Sequence, residues 1–186
     1  MILPAFSTAL VAGLLPLAAA LAAFSAMTDY TIPPAVIKTL MESDKECVMP
    51  WGFNITNFMI FTPAPGNNHS QLISFDFFDD PTKIATSCAF NESSVNVAPF
   101  DFTPRYPCDD WRVTFMWNNA TQGLEMIERA CPDVLTTSME ASGSIWVNGT
   151  LSCLEDDANG AYGPGLDCIS FRKYEAKYYS LQPTPW

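Results

Sequence analysis

The side chains that could do chemistry are few, and their placement excludes most reactions. The single histidine, His69, lies inside the sequon Asn68-His69-Ser70, in a stretch rich in Pro, Gly and Asn. A base must be held rigidly against its nucleophile, and a glycosylation loop does not hold it so. A Ser-His-Asp relay and histidine-based metal sites are therefore set aside. The six cysteines, Cys47, Cys88, Cys108, Cys131, Cys153 and Cys168, contain no C-x-x-C pair, so zinc and redox-motif readings fail and structural disulfides are expected. Carboxylates are plentiful, and glycoside hydrolysis needs only two at the right separation. The nearest pair on one run, Glu125 and Glu128, has opposite parity and would not face one cleft. The acidic clusters Asp79-Asp80, Asp109-Asp110 and Glu155-Asp156-Asp157 offer oxygen ligands of the kind calcium takes. None follows the twelve-residue calcium loop, so they read as solvated turns. The expectation is no catalytic residue, no metal ligand set and no cofactor. One side chain stands out for binding. Trp146 shares parity with the sequon residue Asn148, so it faces outward, to stack on a sugar or partner or to pack beneath the lead-in segment.

The elements that must position these residues are read from charge and pattern. The chain has 186 residues, one domain's length, with 20 acidic against 9 basic side chains and a net charge of −11. Such a surface repels nucleic acid and anionic lipid. The 48% apolar content is enough for a core and argues against wholesale disorder. Residues 1–22 read as a signal peptide, with an apolar run from Leu10 to Ala23 and small-x-small patterns that place the mature start near Ala23. Pro16 interrupts the run, which is short for a membrane anchor. Five sequons, at Asn54, Asn68, Asn91, Asn119 and Asn148, fit a eukaryotic secretory route. The expected location is extracellular, with no membrane attachment in the mature form.

Residues 23–46 form a lead-in, a linker or a short helix started by Pro33-Pro34. From Trp51 onward, short runs alternate at period two between Pro/Gly/Asn/Asp clusters, an all-β signature. Trp51, Phe53 and Ile55 share a face, as do Ile73, Phe75 and Phe77. Ile84, Thr86, Cys88 and Phe90 form another set. Trp111, Val113, Phe115 and Trp117 make the cleanest alternation. Ile145, Val147, Gly149, Leu151 and Cys153 read as one strand. Asn54, Asn91 and Asn148 fall on the opposite parity, so the apolar sets face inward and Cys88 and Cys153 point in with them. The predicted core is Trp111, Val113, Phe115, Trp117, Phe75, Phe77, Val147 and Leu151. Leu124–Ala130 and Leu166–Phe171 have mixed faces and read as edge strands or bulges. The fold class is all-β, a small disulfide-stapled β-sandwich or β-barrel of about seven to eight strands over residues 47–172. Residues 173–186 read as a poorly ordered tail.

Six cysteines allow 15 connectivities. Cys88–Cys108 is favoured because the segment between them is turn-rich, and closing a loop of that size is worth roughly 3 kcal/mol. Cys153–Cys168 follows, across a Gly-rich loop. Cys47–Cys131 remains, tying the lead-in to the β-domain.

Several pieces together resemble a known family. Trp51-Gly52-Phe53-Asn54-Ile55-Thr56-Asn57-Phe58 is similar to the opening strand of secreted fungal proteins of the Alternaria major allergen-like family. Ile73-Ser74-Phe75-Asp76-Phe77, Cys88, Arg105-Tyr106-Pro107-Cys108-Asp109, Val113-Thr114-Phe115, Leu124-Glu125-Met126-Ile127 and Gly143-Ser144 follow in the family's order, over roughly residues 47–155. The resemblance implies a secreted, cysteine-stapled β-barrel or sandwich with no established enzymatic reaction, of a kind discussed as allergens, elicitors or host-interacting proteins. It transfers no functional residue. The functional expectation is a secreted, non-enzymatic binding protein, effector-, elicitor- or allergen-like, whose partner is a host protein or an extracellular glycan. A small carbohydrate-active enzyme or sugar-binding module is the first alternative, and a structural cell-wall protein the second.

Overall fold

The alternating run that begins at Trp51 becomes the longest strand, β1 (Gly52–Pro63), in a computed structural model that describes residues 29–156 and 160–184. Phe53 and Ile55 point into the core. The register against the next strand then shifts between Thr56 and Met59, and Asn57 takes a left-handed φ of 52°. Asparagine tolerates that conformation better than most residues. The bulge resets the alternation, so Phe58 and Ile60 become the inward residues. It also divides one flank of β1 between two partners, β10 (Tyr174–Lys177) along Gly52–Ile55 and β9 (Gly165–Ile169) along Met59–Pro63. On the other flank lie β2 (Leu72–Asp79) and then β3 (Ala85–Phe90), and β8 (Ser152–Asp156) extends the sheet beyond β9.

The second sheet runs in the order β11 (Ser180–Pro183), β7 (Met139–Trp146), β6 (Gly123–Ala130), β5 (Val113–Asn118) and β4 (Tyr106–Pro107). All pairings are antiparallel. The two inner faces meet in an aromatic-rich core. Phe75 meets Phe115 edge to face at 5.1 Å, and Phe53 lies 5.0 Å from Tyr178. Gly143 on β7 lets the layers close. A Cβ there would stand 2.8 Å from both Phe53 Cε1 and the Lys177 carbonyl oxygen. The lead-in contributes one helix, α1 (Pro34–Glu42), with proline in its first turn and Ile37 buried. Three disulfides staple the sandwich: Cys88 to Cys108, Cys153 to Cys168 and Cys47 to Cys131. Among the described residues no helix is long and apolar enough to cross a membrane.

Among the described residues the sandwich is all-β with one short helix, but several expectations are corrected. Eleven strands form among the described residues rather than seven or eight, partly because the supposed tail supplies β10 and β11 and buries Tyr178 completely between them. Leu124–Ala130 is no edge strand. It is the middle of the second sheet, and β9 is likewise flanked on both sides. The run 145–153 is not one strand. β7 stops at Trp146, Gly149 turns the chain with a φ of 73°, and β8 belongs to the other sheet. Cys153 consequently lies on the exposed edge strand rather than in the core, and Leu151 is only half-buried. Val113, Phe115, Phe75, Phe77 and Val147 are core. Trp117 is half-buried, and Trp111 is 58% exposed because it precedes β5, in a turn closed by the Val113 N–H on the Asp110 carbonyl. The signal-peptide and cleavage expectations fall outside the described residues.

Candidate functional site

Two arrangements gather polar and aromatic side chains. One is sealed and the other is open. The sealed one comes from the inward parities of β2 and β6. Asp79 continues the Ile73, Phe75, Phe77 face, and Glu128 continues the Leu124, Met126 face, so both carboxyls project between the sheets and are fully buried. The Tyr178 hydroxyl donates to Glu128 Oε2 at 2.9 Å, and the Thr82 N–H donates to Asp79 Oδ1 at 2.9 Å. Burial, then the neighbouring Asp79 charge, pushes Glu128 up to about 8. Burial also pushes Asp79 up to about 6, against the opposing hydrogen bonds of Thr82. The remaining oxygens, Asp79 Oδ2 and Glu128 Oε1, are buried with no hydrogen-bond partner among the described residues, which favours the protonated, uncharged forms. This pair has no solvent path for a substrate. It is part of the core, and it corrects the reading of Asp79-Asp80 as a solvated turn: only Asp80 is exposed.

The open arrangement is the outer face of the second sheet. Trp146 projects from the end of β7, 66% exposed. Its indole covers the opposite residue of β6, Gly123, where a Cβ would lie 3.5 Å from Nε1. The ring thus rests on backbone rather than beneath the lead-in segment. Around it runs a groove of about 480 Å3 whose polar lining includes Thr103, Asn118, Asn119, Ser144 and Glu125. Glu125 is half-buried, and that burial raises its carboxyl above the usual range, against a hydrogen bond from Tyr179 and the charge of Arg105.

Further along the same face lies a second groove of about 280 Å3, lined by Arg105, Arg112, Arg129, Glu140, Trp111 and Val97 among others. Arg105 pairs with Glu140 at 2.8 Å, both largely buried. Arg112 is forked on Asp110 through Nε and Nη2, which holds the Asp110 carboxyl below its ordinary range. Arg129 lies 5.4 Å over the Trp111 ring. The segment between β3 and β4, tied at its ends by Cys88–Cys108, supplies Val97 to one groove and Thr103 to the other.

The structure brings Trp146, Asn119 and Glu125 around one groove. His69 is exposed in the loop before β2, 6.3 Å from the Tyr162 ring. Asn68, Asn119 and Asn148 are exposed, while Asn54 and Asn91 are half-buried. Among the described residues, no three His, Cys, Asp or Glu side chains are grouped to hold a metal ion. Sequence reasoning missed the Asp79–Glu128 pair and the arginine groove.

No family model and no curated protein matches the chain. Among solved structures it is similar to two crystal structures of the Alternaria alternata major allergen Alt a 1. One is 12% identical with a TM-score of 0.47, over 73% of this chain and 95% of that one. The other is 12% identical with a TM-score of 0.49, over 77% of this chain and 97% of that one, so the likeness spans most of both molecules.

Proposed function

We propose that the protein is a secreted, non-enzymatic binding protein, an effector-, elicitor- or allergen-like factor that holds an extracellular glycan against the outer face of its second sheet. The observation behind this reading is Trp146. A tryptophan supported from below by Gly123 and open above is a stacking platform for a pyranose ring. The amide and hydroxyl groups of Asn118, Asn119, Thr103 and Ser144 beside it suit sugar hydroxyls. Hydrolysis would need a second carboxylate opposite Glu125, and the groove lining contains none. Three disulfides fit an oxidising, extracellular location. The test is a glycan array probed with the wild-type protein and with Trp146→Ala. Retention of specific glycans by wild type and their loss in the variant supports the reading. Equal retention by the variant refutes it.

A further inference from the structure

We propose that the groove around Arg105, Arg112 and Arg129 binds the carboxylate of an acidic sugar, a uronate unit of an extracellular oligosaccharide. The inference rests on the reading of this face as the glycan-binding face, and it names the substrate class. The chain has a net charge of −11 and four arginines, yet three of the four line this one groove. Two are committed: Arg105 to Glu140 and Arg112 to Asp110. Arg129 has only a long ion pair, 3.9 Å from Nε to Glu140 Oε1, a carboxylate it shares with Arg105, and its side chain donates no hydrogen bond among the described residues. Three guanidinium groups against two carboxylates leave one positive charge, which matches one anionic group. A guanidinium fork is shaped for a carboxylate.

The aromatic neighbour narrows the class. Trp111 holds the Arg129 guanidinium over its ring and is itself 58% exposed. A uronate presents both things this wall can take, a C–H face for the indole and a carboxylate for the guanidinium. The groove volume, about 280 Å3, is at the low end for ligand pockets, about 300 Å3, and suits a single ring rather than a long chain. Neutral units of the same oligosaccharide can continue along the face toward Trp146. A polyacidic peptide fits worse, because Asp109, Asp110, Glu125 and Glu140 on or beside this face would repel its further carboxylates.

The experiment is calorimetric titration of the full chain with an aldotriouronate, one uronate on two neutral xylose units, with its methyl ester, which keeps the rings and removes the charge, and with triglutamate. Wild type, Arg129→Gln and Trp146→Ala are compared, each checked for an unchanged circular-dichroism spectrum and unfolding midpoint. The acid should bind saturably. The ester, triglutamate, and the acid on Arg129→Gln should each be at least tenfold weaker, with Arg129→Lys recovering part of the loss. No saturable binding of the acid, equal binding of the ester, equal binding of triglutamate, or full affinity in Arg129→Gln each overturns the proposal. If neutral glycans still bind through Trp146 while Arg129 is irrelevant, the glycan-binding reading survives and only the uronate assignment falls. If neither substitution changes any binding, both fall.

Discussion

Raising the pH from 5 to 8 should loosen this protein from the inside, through Glu128 and Asp79. Both carboxyls are fully buried, and their folded-state values are raised to about 8 and about 6. A raised carboxyl binds its proton more tightly when folded than when unfolded, so its stabilising contribution is complete in acid. That contribution is lost as pH climbs through the folded values. Unfolded, both groups ionise near pH 4, so the folded state holds roughly two protons more from about pH 5 to about pH 6 and roughly one more from there to about pH 8. The slope is then about 2.8 kcal/mol per pH unit falling to about 1.4, or roughly 5 kcal/mol across the window, a large share of an ordinary domain's 5–15 kcal/mol. The groups facing the pair do not offset this. Thr82 and Tyr178 only hydrogen-bond to it, Tyr30 is itself pushed up by burial and by the two acids, and Arg112 is forked on Asp110. Urea unfolding followed by tryptophan fluorescence at pH 5, 6.5 and 8 measures the slope. Glu128→Gln keeps an acceptor for Tyr178 and a donor toward Asp79 but carries no titrating proton. It should flatten the profile and be the more stable protein at pH 8. Wild-type stability that does not change between pH 5 and 8, or an unchanged slope in Glu128→Gln, would defeat the reasoning.

Other expectations concern packing. Gly143→Ala should cost about 1–3 kcal/mol in urea unfolding, since the added methyl meets Phe53 and the Lys177 carbonyl at 2.8 Å. Phe115→Ala should cost roughly 3–5 kcal/mol, whereas Trp111→Ala, at an exposed position with the Arg129 guanidinium over its ring, should cost no more than about 1 kcal/mol. The same denaturation curves check both. Tyr178→Ala removes a fully buried ring together with the donor to Glu128, so it should cost at least about 3–5 kcal/mol and release β10 and β11 to rapid amide exchange.

Alternation was enough to find most strands, because a sheet with one buried face writes its geometry at period two. It failed where something outside that period intervened. At Asn57 the bulge shifts the alternation within β1. After Trp146 the apolar parity continues through Val147 and Leu151 by coincidence, while Gly149 turns the chain into the other sheet. Trp111 shares its parity with Val113 and Phe115, but the turn at Asp110 ends the strand before reaching it. The last strands were invisible for another reason. β10 and β11 are four residues each, mostly half-exposed, and owe their order to pairing with β1 and β7. Local sequence does not record that debt to distant partners.

The same period held more than was read from it. Ile73, Phe75, Phe77 and Asp79 are one inward face, and so are Leu124, Met126, Glu128 and Ala130. An acid that closes an inward apolar set is either misassigned or buried. Two of them on different strands are best buried together, because one proton and one hydrogen bond between them cost less than two isolated desolvated carboxylates. Parity finds the pair once acids are followed with the apolar residues, which neither the turn reading of Asp79 nor the comparison of Glu128 with Glu125 alone does. No such argument reaches the arginine groove. Arg105 precedes β4, Arg112 precedes β5 and Arg129 is on β6. Their convergence depends on how β4, β5 and β6 register side by side, which no local pattern encodes. The core of this protein is thus written along its strands, while the surface proposed to bind is written across them.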